Sequence, residues 1–440
     1  MASNAARTHL IRNLQSRNYT ACAARSIVGG AYNQNVHIET LRNNVVCAAL
    51  ESPLPISRVA VVVKAGSRYD PTDVPGLSHV LRASAGLTTK GASTFAIIRN
   101  LQQMGANLQV TGSRDTITYT IEATSDKIDA SLKFLNDVVT LQAFKPWELT
   151  ENIPRIKYEL ASLPAEARAL DLLHKAAYRK GLGNTLYVKP HRISSIGTET
   201  LQHHVNQFFT SSRTTVIGQG VSEGSLKKFG SELELAGGSA AGDDAAKYQG
   251  GVVHKDAPTG NLVTAVAVES AGLQSDQALA FSVLAYALGG QSSIVHSSGQ
   301  TPLGKAFDLK PIGACAFNAQ HADSGLFGII VKAPASHAKD AAKKAYEVAT
   351  GKLSDADIDR AKNQLKSDIL HASQSGESLL AEVATQVPVL GTYVTADQLV
   401  DKVSKVSAAD VHSAAKAFSS GKKSIGAYGD ASEALYIEDL

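Results

Sequence analysis

The chain has 440 residues, 44% hydrophobic and 19% charged, with a formal net charge of +3. That is the balance of a globular protein too long for one ordinary core, and no stretch is apolar and charge-free for long enough to span a bilayer. Cys22, Cys47 and Cys315 are isolated, with no C-x-x-C, so neither a disulfide framework nor a thiolate zinc site is indicated.

The first acidic residue is Glu39, and Arg7, Arg12, Arg17 and Arg25 precede it among Ser, Ala and Asn. This is the composition of a mitochondrial presequence, against the alternative of a disordered basic tail. Arg17-Asn18-Tyr19-Thr20 resembles a matrix-processing site, which predicts a presequence over 1–19, cleavage near Tyr19 and an extension over 20–36. Cleavage there removes three arginines and brings the formal charge from +3 to 0, which weakens any nucleic-acid reading.

From His37 the pattern predicts strands in HIETL, in VVCAALE from Val45 and in SRVAVVVKAG from Ser57, as neighbours in a sheet with one buried face. Gly76 then opens a helix, and another is expected from Ser93 to Met104. A hairpin follows from Gly105, then an amphipathic helix over Asp126 to Thr140 and helices starting at Pro146 and Pro164. A helix around Leu201 to Phe209 leads into a strand from Arg213.

The segment 232–251 is poor in bulky apolar residues and rich in Gly, Ala and Asp, as an interdomain linker is. Beyond it the order of elements recurs. NLVTAVAVESAG from Asn261 echoes SRVAVVVKAGS, GACAFNAQHADSGLFG from Gly313 echoes the hairpin from Gly105, and the strand before Gly429 echoes that before Gly220. Gly105 with Gly313 and Asp115 with Asp323 are offset by 208 residues, and Gly220 with Gly429 by 209. The repeat predicts an α+β chain of two homologous domains, 37–231 and 252–440, with mixed or antiparallel sheets and flanking helices.

The stretch GLSHVLRASAGLTTKG from Gly76 sets His79, Arg82 and Ala83 at i, i+3 and i+4, on one helix face. In the inverted zinc motif H-x-x-E-H two histidines hold the metal and the glutamate works on its water. Here Arg82 stands for the glutamate and Ala83 for the second histidine. A guanidinium about 4 Å from a divalent cation costs roughly 8 kcal/mol at an effective dielectric near 20, so no metal, cofactor or catalytic residue is expected. Read alone, His79 is a hydrogen-bonded histidine on a packed helix.

Three other patterns carry less. Gly299, Gly304 and Lys305 form G-x-x-x-x-G-K, but Ala306 follows where a P-loop needs Ser or Thr, and the run before it is helical. His203 and His204 are adjacent, so on a helix they point about 100° apart and are expected to be exposed polar residues. Asp243 and Asp244 are read as solvated linker charge.

KAGSRYD from Lys64, GLSHVLRASAGLTTKGAS from Gly76, LLHKAAY from Leu172, FFTSSRTTVIGQGV from Phe208 and DSGLFG from Asp323 resemble the pitrilysin-type metallopeptidases. That family includes the mitochondrial processing peptidase and the core proteins of respiratory complex III, and the likeness runs from about residue 37 to the C-terminal YIEDL. It implies two domains closed like a clam shell around a cavity.

Active members carry a further glutamate about 80 residues past the motif. Counted back from LLHKAAY, that position falls on Ala167, with Glu166 one residue off. The resemblance therefore implies a structural subunit on the matrix side of the mitochondrial inner membrane, paired with core protein 1 and associated with cytochrome b, cytochrome c1 and the Rieske iron-sulfur protein. A processing-peptidase subunit and a matrix peptide-binding module are the alternatives. The family's glycine-rich presequence-handling loop has only scattered glycines in its counterpart here, from Gly289.

Overall fold

A computed structural model describes residues 36–52, 54–238, 245–290, 300–307 and 312–440. The expected presequence over 1–19 with its cleavage near Tyr19, Cys22, linker residues Asp243 and Asp244, and Gly299 of the P-loop-like pattern lie outside the described residues.

The first half runs β1 (Val36–Thr40), β2 (Val46–Leu50), β3 (Ile56–Val63), α1 (Leu77–Ala83), α2 (Thr94–Gln103), β4 (Asn107–Gly112), β5 (Ile117–Thr124), α3 (Ile128–Thr140), α4 (Pro146–Ala161), α5 (Ala165–Tyr178), α6 (Thr198–Phe208), β6 (Thr214–Gln219) and α7 (Glu223–Glu232). The second runs β7 (Gly251–Asp256), β8 (Asn261–Ser270), α8 (Gln277–Leu288), α9 (Pro302–Ala306), β9 (Gly313–Gln320), β10 (Gly325–Pro334), α10 (Ala338–Thr350), α11 (Asp355–Gln374), α12 (Gly376–Leu390), α13 (Ala396–Lys405), α14 (Ala408–Ser420) and β11 (Ser424–Gly429).

The sheets have strand orders β1-β2-β6-β3-β5-β4 and β7-β11-β8-β10-β9. Each contains one parallel pair, β2 with β6 and β7 with β11, and is otherwise antiparallel. The internal repeat is thus a repeat of topology. It is also one of backbone approach, because Gly66 and Gly272 each abut the hairpin turn of their own half. A Cβ at Gly66 would lie 2.4 Å from the Arg114 carbonyl oxygen, and one at Gly272 2.6 Å from the Asp323 carbonyl carbon.

The expectation that β2 and β3 are neighbours with one buried face is corrected in two respects. The strand β6, more than 150 residues later, inserts between them. Both faces are covered: Val59, Val61 and Val63 face the helices of their own half, whereas Ala48, Ala60, Val62 and Ile217 pack on Leu379, Leu380, Val383 and Val387 of α12.

The exchange is reciprocal. Helix α5 of the first half lays Ala169, Leu173, Ala177 and Tyr178 on Val263, Ala265, Ala267 and Leu326 of the second sheet. Each half lends a helix to the other's sheet. A fully buried Leu or Val is worth about 1.5–3 kcal/mol, so these two layers tie the halves together hydrophobically.

Helix α1, which carries the candidate site, starts where the sequence placed it. Gly76 has φ +87°, and its Cβ would fall 2.4 Å from the Cα of Val188, so the position requires a residue without one. Asp70 accepts from the backbone N–H groups of Gly76 and Ser78, at 3.1 and 3.0 Å, and from the Ser78 hydroxyl at 3.1 Å. It caps the helix from outside the local sequence.

Candidate functional site

His79, Arg82 and Ala83 lie together on α1, and the element packed across from them is α4. His79 is 2% exposed and sets its ring edge-on against Tyr187, with centroids 5.8 Å apart. Its Nδ1 accepts the Val188 N–H at 3.3 Å, which puts the ring proton on Nε2. Nε2 points at Glu159 Oε1 from 3.4 Å, an electrostatic contact rather than an aligned hydrogen bond. Arg82 Nη2 donates to the same Oε1, and the Ala83 carbonyl accepts from Asn152 Nδ2 at 2.9 Å.

These contacts set the charges. Burial pushes the His79 imidazole below its ordinary value, with the Arg82 charge acting in the same direction and Glu159 against it. Burial would raise the Glu159 carboxyl, but the hydrogen bond and charge of Arg82, with His79, hold it below the usual carboxylate range. At neutral pH the site is a neutral histidine and an anion–cation pair.

The distal acidic position is the point at which the sequence reading missed its residue. Glu166 is on α5 but ion-pairs Lys332 on β10 at 2.9 Å, and Ala167 is its neighbour, so neither meets α1. The carboxylate that does is Glu159, 80 residues beyond His79. Counting back from the α5 block stops at Ala167, within α5 and short of the turn between α4 and α5. The signal that could have found it is the separation from His79 itself.

The comparisons with known proteins bear on this geometry. The profile of insulinase (peptidase family M16) matches residues 45–189, and that of the peptidase M16 inactive domain matches 195–365. Cytochrome b-c1 complex subunit 2 of Homo sapiens is 36% identical over 419 residues, covering 92% of each chain. The chain belongs to peptidase family M16. A probable mitochondrial-processing peptidase subunit alpha-1 of Arabidopsis thaliana is 28% identical over 90% of this chain and 82% of its own. A chain of complex III2 from Candida albicans, solved with Inz-5 bound, shares the fold with a TM-score of 0.78 at 18% identity, covering 92% of this chain and 98% of that one.

The zinc ion of active M16 peptidases does not fit these residues. His79 and Glu159 are two oxygen or nitrogen ligands where at least three are needed, and Arg82 puts a guanidinium on the second of them. The histidine also has the wrong polarity: a zinc-bound imidazole donates from its other nitrogen, whereas His79 Nδ1 accepts from a backbone N–H. Among the described residues no group of three or more His, Cys, Asp or Glu is placed to hold a metal ion.

The remaining patterns fall into place elsewhere in the M16 fold. Gly304 and Lys305 are in the short helix α9, capped by Thr301. His203 is exposed as expected, but His204 is 2% exposed and stacks on Phe208 at 4.7 Å, a correction set by the apolar face of α6. Burial pushes His204 down to about 4, so it stays neutral in the core. Burial likewise pushes the Cys47 thiol up to about 11, the behaviour of a structural and unreactive cysteine. Between the halves lies a cleft of about 390 Å³, with the polar strand β4 (Gln109, Thr111) on one side and α12 (Leu380, Ala384) on the other.

Proposed function

We propose that this chain is a non-catalytic structural subunit of mitochondrial complex III, occupying the place of cytochrome b-c1 complex subunit 2 and serving assembly and stability of that complex. The observation that carries the reading is the Arg82–Glu159 pair: the carboxylate of Glu159, opposite His79, is neutralised by a side-chain cation. The 36% identity with the human subunit 2 over nearly all of both chains supports the assignment.

On this reading the chain pairs with core protein 1 and contacts cytochrome b, cytochrome c1 and the Rieske protein. It enters the mitochondrion with a presequence over 1–19 and lies on the matrix side of the inner membrane. No helix among the described residues is long and apolar enough to cross a membrane, which agrees with peripheral attachment.

A second reading, a subunit of a processing-peptidase heterodimer without a zinc site of its own, draws on the likeness to the Arabidopsis thaliana alpha-1 subunit at 28% identity. Native electrophoresis of gently solubilised mitochondria, with mass spectrometry and zinc analysis of the band holding this chain, decides between them. Co-migration with cytochromes and no zinc on this subunit is expected. A soluble heterodimer that cleaves presequences would replace the first reading by the second.

A further inference from the structure

Helix α5 ends in the sequence KAAYRKG, which sets Lys175, Arg179 and Lys180 in and just beyond its last turn, where the carbonyl end of a helix favours cations. Arg179 has φ +62°, a conformation uncommon for a residue with a side chain, and Gly181 follows at φ +60°. The turn is held from beneath. The Tyr178 hydroxyl lies 2.9 Å from the Ser324 hydroxyl and donates to the Gly325 carbonyl at 3.1 Å, and its ring meets that of Tyr248 edge-on with centroids 5.9 Å apart.

Two further segments come to this end of α5. The Ala177 carbonyl accepts from the N–H groups of Gln249 and Gly250, at 2.6 and 3.1 Å. The Lys422 side chain lies across Gly250, where a Cβ would fall 2.9 Å from its Cε, and the Tyr248 hydroxyl donates to the Lys422 carbonyl at 2.7 Å. Lys175, Arg179, Lys180, Lys247 and Lys422, all exposed, are thus gathered from α5, from the segment leading into β7 and from the turn before β11.

Other surface cations of the chain are met by carboxylates: Lys227 by Glu39 and Glu223, Lys332 by Glu166, Lys339 and Lys343 by Asp439. Among the described residues none of these five is in an ion pair. The carboxylates near the Tyr178 hydroxyl are engaged elsewhere, Glu269 with the Ser324 hydroxyl at 3.2 Å and Asp323 with Arg68 at 2.7 Å. Like charges gathered in this way repel one another, and an approaching surface of opposite sign relieves that repulsion.

We propose that this face docks on an anionic phospholipid surface. A cluster of four or more Lys and Arg is what such a surface attracts. The three segments carry no exposed large apolar side chain, so the face lacks the anchor on which a protein interface is built and suits laterally mobile headgroups instead. Tyr178 is buried and Tyr248 half-buried beneath the cations, which leaves no platform for stacked bases. The inference deepens the reading of the chain as a peripheral subunit, but binding to lipid is measured apart from membership of any complex, so either can fail alone.

The test is sedimentation of the purified full chain with vesicles of phosphatidylcholine, with or without about 30% phosphatidylglycerol. The natural chain should bind the anionic vesicles, bind the neutral ones at least about tenfold more weakly, and be released by about 0.5 M salt. Each cation at an anionic surface strengthens binding roughly fivefold, so Lys180→Gln with Lys247→Gln and Lys422→Gln should lose roughly a hundredfold. Lys133→Gln with Lys157→Gln and Lys402→Gln removes as many exposed charges from α3, α4 and α13 and should lose less than about tenfold. The arginine-rich N-terminal stretch is common to all three proteins, so the comparison does not depend on it. Equal losses in the two variants would overturn the proposal, as would equal binding to neutral vesicles or binding indifferent to salt. It would also fall if the first variant kept its hold on vesicles but left its assembly on native electrophoresis, which would assign the face to an acidic protein partner.

Discussion

Arg82 reaches from α1 to Glu159 on α4 and stands beside His79, so that a side-chain cation sits among the groups with which an active relative would hold a metal. The pair is partly exposed, at 25% and 32%, which limits its worth to about 1 kcal/mol. Arg82→Ala should lower stability by that amount in chemical denaturation at neutral pH. Because the folded carboxyl is held low, the difference should be present above the unfolded carboxylate range and vanish as acid protonates Glu159. Arg82→Glu should cost more, since it sets a second carboxylate against the first.

Restoring the motif tests how far the site has diverged. Arg82→Glu with Ala83→His supplies the missing side chains, but the Val188 N–H still donates to His79 Nδ1, the reverse of what a metal-bound imidazole needs. Loss of the proper outer contact typically weakens metal sites by about 10–100-fold. The double variant should take up zinc in a titration with excess metal yet come through gel filtration with substoichiometric zinc by mass spectrometry. Full, retained occupancy would show that only two side chains separate this site from a metal site.

The elements were legible because their signals are local: the Gly76 start of α1, Pro146 at the start of α4, and the alternating Val59, Val61 and Val63 of β3. Offsets in the repeat exposed the second sheet. Helix exchange was not legible, because Ala60 and Val62 read as the weaker face of an alternating strand and nothing nearby announces that α12 covers them. Glu159 was missed for a related reason. Its role depends on which residue of α4 comes round to face α1, a matter of helix phase that counting from a later block does not preserve.

Asp70 gives a pH dependence of the opposite sense to Glu159. Burial pushes its carboxyl up to about 7 against the hydrogen bonds from Ser78 and Gly76, so the folded chain binds this proton more tightly than the unfolded one. Its contribution to stability is therefore fully present below the unfolded value, near 4, and is lost as pH rises through about 7. A rise from near 4 to about 7 corresponds to roughly 4 kcal/mol. Asp70→Asn, which cannot ionise, should flatten the fall in unfolding free energy between pH 5 and 8, measured by urea titration across that range. A slope unchanged from the natural chain would mean that Asp70 is ionised throughout and acts as an ordinary helix cap.

The exchanged helices predict that the two halves unfold together. Gly426 on β11 is the tightest point of the α5 contact, because a Cβ there would lie 2.3 Å from the backbone nitrogen of Leu173, an approach that no repacking of side chains can relieve. Gly426→Ala must push α5 off the second sheet, and α5 carries Leu173 at 0% exposure into that layer. Leu173→Ala should cost about 2–5 kcal/mol through the cavity it leaves, and Gly426→Ala a comparable amount through overpacking. Since α5 is covalently part of the first half, both substitutions should lower a single cooperative transition seen equally by probes in either sheet. Two separated transitions, with only the second half destabilised, would show that the hydrophobic layers of α5 and α12 do not couple the halves.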